Sequence, residues 1–172
     1  MKVVFGITVS TEIEEIKQLI PFLKKHIPDD CEIVALADNL TVTEDVLIYL
    51  NEQKISHYAK NLNNNFGEFK TALNVICKDL HQADYIFQID ADEIPNKVIV
   101  KNIKLIIEAN PDVDVFYLPR RNIVKGITEN LLREWQWVAS KNENCISEKI
   151  IDTDSEEYKF LKKYNFIIEE NI

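Results

Sequence analysis

Residues Ala83-Asp-Tyr-Ile-Phe-Gln-Ile-Asp-Ala-Asp-Glu-Ile-Pro95 carry an apolar run, Tyr85 to Ile89, broken only by Gln88; it drives into three carboxylates and stops at a proline. A short, mostly apolar run bounded by turn signals predicts a buried strand, of the kind found in an α/β sheet covered on both faces. Asp90, Asp92 and Glu93 fall at its carboxyl end, the side on which open α/β sheets bind ligands. Side chains alternate along an extended segment, so aspartates at i and i+2 point the same way and converge two hard oxygen donors. Such donors suit Mg²⁺ or Mn²⁺ better than a soft metal.

The flanks repeat one theme. Lys2 to Val9 reads as a β-branched strand, and Thr11 with Glu14 as a capping box opening a helix with Ile13, Ile16, Leu19, Ile20 and Leu23 at helical spacing. Lys24, Lys25 and His26 suit the last turn's dipole, and Pro28 ends the helix. Glu32 to Ala37 is a second strand closed by Asp38-Asn39, and Thr41 with Glu44 starts a helix carrying Val46, Leu47 and Leu50. Ile55 to Ala59 gives a short third strand, residues 61–67 a turn-rich Asn/Gly loop, and Glu68 to Leu80 a helix with Phe69, Ala72, Leu73, Ile76 and Leu80 inward. Beyond the opening stretch, Asn96 caps a helix with Val98, Ile99, Ile103, Ile106 and Ile107 on its apolar side, and Val113 to Leu118 is a fifth strand. Past Pro119 the pattern thins: Thr128 to Trp137 reads as a short helix, Asp154 to Tyr164 as another, and Phe166 to Ile168 as a last strand. Alternating strands and helices predict a three-layer α/β/α sandwich on a mainly parallel sheet. With no repeat, linker or low-complexity segment, residues 1–172 read as one domain, 1–95 and 96–172 being its two halves.

Composition narrows the class. The chain has 172 residues, 46% hydrophobic and 28% charged, ordinary for a folded soluble domain rather than a disordered or fibrous one. A net charge of -9 argues against sequence-independent nucleic-acid binding, which needs a basic surface to displace counterions. It leaves a nucleotide open, because a divalent metal bridges carboxylates to phosphates. Cys31, Cys77 and Cys145 are odd in number and without CxxC spacing, so they read as reduced thiols of a cytoplasmic protein. The apolar run Val3 to Val9 is too short for a membrane span, and no small-residue cleavage pattern follows it. The histidines add no metal site, since His26 and His81 fall at helix ends and His57 on a strand.

Five features occur in order: Gly6-Ile-Thr8-Val-Ser10, Ala37-Asp38-Asn39, Asn64-Asn-Phe-Gly67, Asn74 and Asp90-Ala-Asp92-Glu93. Together they resemble the nucleotide-binding half of family 2 glycosyltransferases of GT-A fold, whose pattern ends in a strand followed by D-x-D-[DE]. Leu118-Pro-Arg-Arg-Asn122, Gly126-Ile-Thr-Glu129 and Trp135-Gln-Trp137 look like small bacterial or phage-type members. The resemblance covers about residues 1–140 and implies a metal-dependent transferase. Such an enzyme moves a sugar from a nucleotide diphosphate, a UDP-sugar being the expected donor, to a hydroxyl of a glycan, lipid or protein acceptor, with inversion.

By that resemblance Thr8, Ser10 and Asp38 would line the base and ribose. Asp90 would meet the ribose or the metal, and Asp92 would ligate Mn²⁺ or Mg²⁺ on the diphosphate. The family's usual Arg before Asn74 is replaced by Leu73, and Lys70, one turn earlier on the face of Asn74, is the substitute phosphate partner. Arg120 and Arg121 are further anion candidates. The base that deprotonates the acceptor is assigned to Glu134, with Glu129 behind it, while Trp135 and Trp137 either stack on a sugar or pack in a core. Two other readings stand beside this one. A nucleotidyltransferase usually carries a basic, Gly-rich loop after its first strand, where this chain has Val9-Ser-Thr-Glu-Ile13. A non-catalytic or truncated nucleotide-sugar-binding module is suggested by the short stretch left after Leu118.

Overall fold

The computed structural model describes residues 1–120, 134–140 and 149–150, with side chains through residue 118. The chain divides into two compact units, Met1–Phe116 with Val138–Ile146, and Tyr117–Trp137 with Ser147–Ile172. In the first, the order is β1 (Val3–Val9), α1 (Ile13–His26), β2 (Glu32–Asp38), α2 (Glu44–Glu52), β3 (Ser56–Lys60), α3 (Phe66–Val75), β4 (Tyr85–Asp90) and α4 (Lys97–Glu108). A π-helical turn, Ile76–Leu80, prolongs α3. The helix is thus the one expected from the apolar spacing, starting slightly earlier and widening in its last turn, where Leu80 is exposed rather than inward.

β1 lies inside a parallel sheet ordered β3-β2-β1-β4, with Gly6 opposite Val34 on one side and Gln88 on the other. Strands buried on both faces need near-continuous apolar sequence, and β1 is buried along almost its whole length. Alternation sends Val4, Val34, Leu36 and Ile86 to one face, where they form a cluster with Phe69 and Leu73 of α3 and Cys77 of the π turn. Phe5 and Phe87 stack at 4.8 Å between ring centroids on the other face. The α1 residues Ile16, Leu19, Ile20 and Leu23 and the α4 residues Val100, Ile103 and Ile107 are buried as well, α1 packing beside both α4 and α2. These are the helix, sheet and helix layers that the sequence pattern predicts. Burial pushes the Cys31 thiol up to about 11 and the Cys77 thiol to about 12, so both are protonated at neutral pH.

β5 (Val115–Arg120) follows α4. β6 (Glu134–Ser140) pairs antiparallel with β4 through Ile86 and Ser140, and β7 (Lys149–Ile150) pairs with β6. The expected helix at 128–137 is therefore corrected over residues 134–137, which are strand. Trp135 and Trp137 alternate with Gln136, a period-two pattern of aromatic residues that favours a strand over a helical turn. The elements expected at 154–164 and 166–168 lie outside the described residues. Neither predicted capping box forms. The N-cap of α1 is Glu12 and that of α2 is Thr43, each without a side-chain cap bond. Glu14 pairs instead with Lys17, and Thr41 is drawn into contacts at the carboxyl edge of the sheet. Asn96 does cap α4, accepting from Val98 N–H at 2.8 Å, and Asn65 caps α3 in the same way.

Leu73 of α3 packs closely over Gly6. A Cβ there would lie 3.0 Å from Leu73 Cδ2 and 3.1 Å from its Cγ, and Leu73 is fully buried. Gly6→Ala is expected to destabilise the protein by about 1 kcal/mol or more, since overpacking costs more than the chain entropy that alanine saves. Urea denaturation would measure it; an unchanged or raised midpoint would show that Leu73 yields freely.

Candidate functional site at the carboxyl edge of the sheet

From β1 the chain steps to β2 and β3 on one side, then returns to place β4 on the other. The carboxyl ends of β1 and β4 thus flank a topological switch point, where open α/β sheets bind ligands. Thr8 and Asp90 face each other across it in register. Thr8 Oγ1 donates to Asp90 Oδ1 at 2.6 Å, and Lys70 Nζ lies 3.4 Å from Asp90 Oδ2. The Lys70 side chain is only 11% exposed, so it is a partly buried partner of Asp90 rather than a solvated helix lysine.

One turn along α3, Asn74 is buried and its amide oxygen accepts from Gln88 Nε2 at 2.5 Å. Lys70 with Asp90 and Asn74 with Gln88 make two polar rungs between α3 and β4. Leu73, where the family pattern places an arginine, packs inward over Gly6. Sequence reasoning passed over Gln88, although a single polar residue inside an apolar strand is the signal of a buried polar contact.

Asp38 ends β2 and is 6% exposed. Its Oδ1 accepts from Leu62 N–H at 3.0 Å and Leu40 N–H at 3.3 Å, and its Oδ2 from Thr41 Oγ1 at 2.7 Å. The Leu62 amide, then the Thr41 hydroxyl and the Leu40 amide, hold this carboxyl below its ordinary value despite burial. Thr41 Oγ1 also meets Ser10 Oγ at 2.5 Å, and Asn39 Nδ2 donates to Asn61 Oδ1 at 3.1 Å. The loops after β1, β2 and β3 are thereby laced together. Asn61 joins this edge with no role read from the sequence, and Asn39 and Thr41 join it beyond the turn and cap expected of them.

The strand ends at Asp90, and residues 91–92 form a turn in which Asp92 is exposed. Period-two alternation therefore stops short of Asp92, and the expected convergence of the two aspartates by strand geometry is corrected. Glu93 folds back, its N–H donating to Asp90 O at 3.0 Å and its carboxylate accepting from Asp90 N–H at 3.2 Å. Among the described residues no three His, Cys, Asp or Glu side chains are grouped to hold a metal by themselves. Asp90 and Asp92, two residues apart at one edge, are hard oxygen donors of the type taken by an ion such as Mg²⁺, which needs only one or two carboxylates and completes its shell with phosphates and water.

Arg120 ends β5 and Glu134, Trp135 and Trp137 begin β6, with side chains outside the described residues; Arg121 and Glu129 lie outside them altogether. No helix among the described residues is long and apolar enough to cross a membrane.

No family model and no curated protein matches the chain. Solved structures do. TarS from S. aureus, residues 1–349 in complex with UDP-GlcNAc, matches at a TM-score of 0.56 and 19% identity over 74% of this chain and 36% of that one. The same fragment with UDP gives 0.57 and 19% over 74% and 37%. A CMP:2-keto-3-deoxy-manno-octonic acid synthetase complexed with CTP gives 0.51 and 12% over 88% and 72%. These likenesses show the fold alone, a mixed α/β domain of GT-A type built on a parallel sheet. The chain spans about a third of the length of the TarS fragment.

Because the Asp38 carboxyl is depressed in the folded state, the stability it contributes is present above its unfolded pKa of about 3.9 and is lost as pH falls through the lower folded value. Asp38→Asn should cost about 1–3 kcal/mol at pH 7, a gap that narrows below about pH 4. Chemical denaturation of both proteins from pH 7 to 3 would measure it; a constant gap would contradict the linkage.

Proposed function

We propose that the chain is a glycosyltransferase that binds a nucleoside diphosphate sugar, a UDP-sugar above others, at the β1–β4 switch point. The observation that carries this reading is the meeting of Thr8, Lys70 and Asp90 at that crevice. A transferase fold and neighbours solved with UDP and UDP-GlcNAc support it. Thr8 and Ser10, with the loops tied by Asp38, would frame the base and ribose. Lys70 would face the diphosphate, and Asp90 and Asp92 would hold Mn²⁺ or Mg²⁺ beside it. When bound, that ion would neutralise charge on the leaving diphosphate.

Asp38 itself is engaged through both oxygens by its own loops, so its part in this reading is to shape the pocket. Asn74 likewise supports the pocket through Gln88. Glu134 is the proposed base that takes the acceptor proton in an inverting attack.

The synthetase neighbour keeps a nucleotidyltransferase in view, but the loop after β1 opposes it. Glu12 Oε2 accepts the Ser10 N–H at 2.6 Å, so a carboxylate sits in the loop where such an enzyme usually carries a basic, Gly-rich stretch. The second reading is a module that binds donor without turnover.

Thermal denaturation with UDP, GDP or CDP and Mn²⁺ tests the donor site. At ligand one hundred times above Kd the stabilisation would be about 2.7 kcal/mol, and Asp92→Ala should remove most of it. No shift with any of the three would overturn the reading. Slow hydrolysis of the matching nucleotide sugar, with Glu134→Gln slowing transfer to an acceptor and leaving donor binding intact, is expected of an enzyme; binding without any turnover would leave the module.

A further inference from the structure

We propose that Lys70 gates the metal position: a divalent cation binds at Asp90 only together with a nucleoside diphosphate that draws the Lys70 ammonium away. The inference rests on reading the β1–β4 edge as the donor site. Both oxygens of Asp90 are already engaged, Oδ1 by the Thr8 hydroxyl at 2.6 Å and Oδ2 by Lys70 Nζ at 3.4 Å. Side-chain exposures of 11% for Lys70 and 26% for Asp90 make this a partly desolvated pair, in which charge interactions are screened much less than in water. A second cation arriving at Asp90 meets the ammonium already there and is repelled by it.

The surroundings decide which part can move. Asn74 is fixed to Gln88 and Leu73 is seated over Gly6, so α3 is held against the sheet one turn from this rung. Lys70 is attached through a flexible four-carbon stem, and its ammonium is a compact charge with three donors. A diphosphate offers that ammonium a charge-assisted partner and offers the metal further oxygen ligands. Nucleotide therefore releases Asp90 to the ion and the ion strengthens nucleotide binding, a reciprocal coupling between the two ligands. Lys70 acts here as a positioning residue, through Asp90.

The test is Mn²⁺ binding read from the electron paramagnetic resonance signal of the free ion, with and without UDP. It would be run on the wild type, Lys70→Met, Lys70→Gln and the charge-keeping Lys70→Arg. In the wild type UDP should tighten Mn²⁺ by about tenfold or more, and Lys70→Met and Lys70→Gln should bind Mn²⁺ alone about tenfold tighter than the wild type. Lys70→Arg should restore weak binding, which a loss of packing alone would not do. If UDP tightens Mn²⁺ in the wild type but the neutral variants bind Mn²⁺ alone no better, the gate is wrong and the donor site stands. If neither UDP nor Mn²⁺ binds any of the four proteins, the donor-site reading falls and the gate with it.

Discussion

The seating of α3 on the sheet at Gly6 and Leu73 is the constraint on which the candidate site depends. Any side chain at position 6 would push the fully buried Leu73 outward, and helix and strand are otherwise joined at this level by side-chain length alone. With the helix this close, Asn74 reaches Gln88 and Lys70 reaches Asp90. The three contacts use β1 and β4 residues paired in register, Gly6 with Gln88 and Thr8 with Asp90. The apolar contact at Leu73 seats the helix, and the cation expected at that position by the resemblance stands one turn earlier, at Lys70.

The carboxyl edge is laced before any ligand arrives. Asp38 joins the loop after β2 to the loop after β3, and through Thr41 to Ser10 at the end of β1. Polar groups held by one another need little reorganisation on binding, the general advantage of a preformed site. The same lacing divides the residues expected to touch a nucleotide. Asp38 and Asn74 are buried and committed to the scaffold, whereas Thr8, Ser10, Lys70 and Asp90 keep partial exposure at the crevice.

The strand and helix order was legible because parallel strands covered on both faces must be apolar throughout, and the covering helices must carry an apolar stripe. Val3 to Val9, Glu32 to Ala37 and Tyr85 to Ile89 announce themselves in this way. The capping box of Thr41 and Glu44 failed because Thr41 bonds Asp38 and, across the sheet edge, Ser10, while Glu14 of the other box pairs with Lys17. Asp92 misled because alternation holds only while the chain stays extended, and the turn after Asp90 ends it. The rung from Lys70 to Asp90 joins residues twenty positions apart. Their encounter depends on how far α3 descends onto the sheet, a distance set by Gly6 and invisible in helix periodicity. Trp135 and Trp137, grouped with a helix by position, alternate as a strand does.

The central claim is that a nucleoside diphosphate enters the crevice between β1 and β4. An ¹⁵N-labelled sample titrated with UDP and Mg²⁺ tests it residue by residue. The account places the amide shift changes at residues 8–12, 38–41, 61–70 and 90–93, with Lys2, Glu32 and His81 at the opposite edge of the sheet unmoved. Changes centred on that opposite edge, or none at saturating UDP, would contradict it.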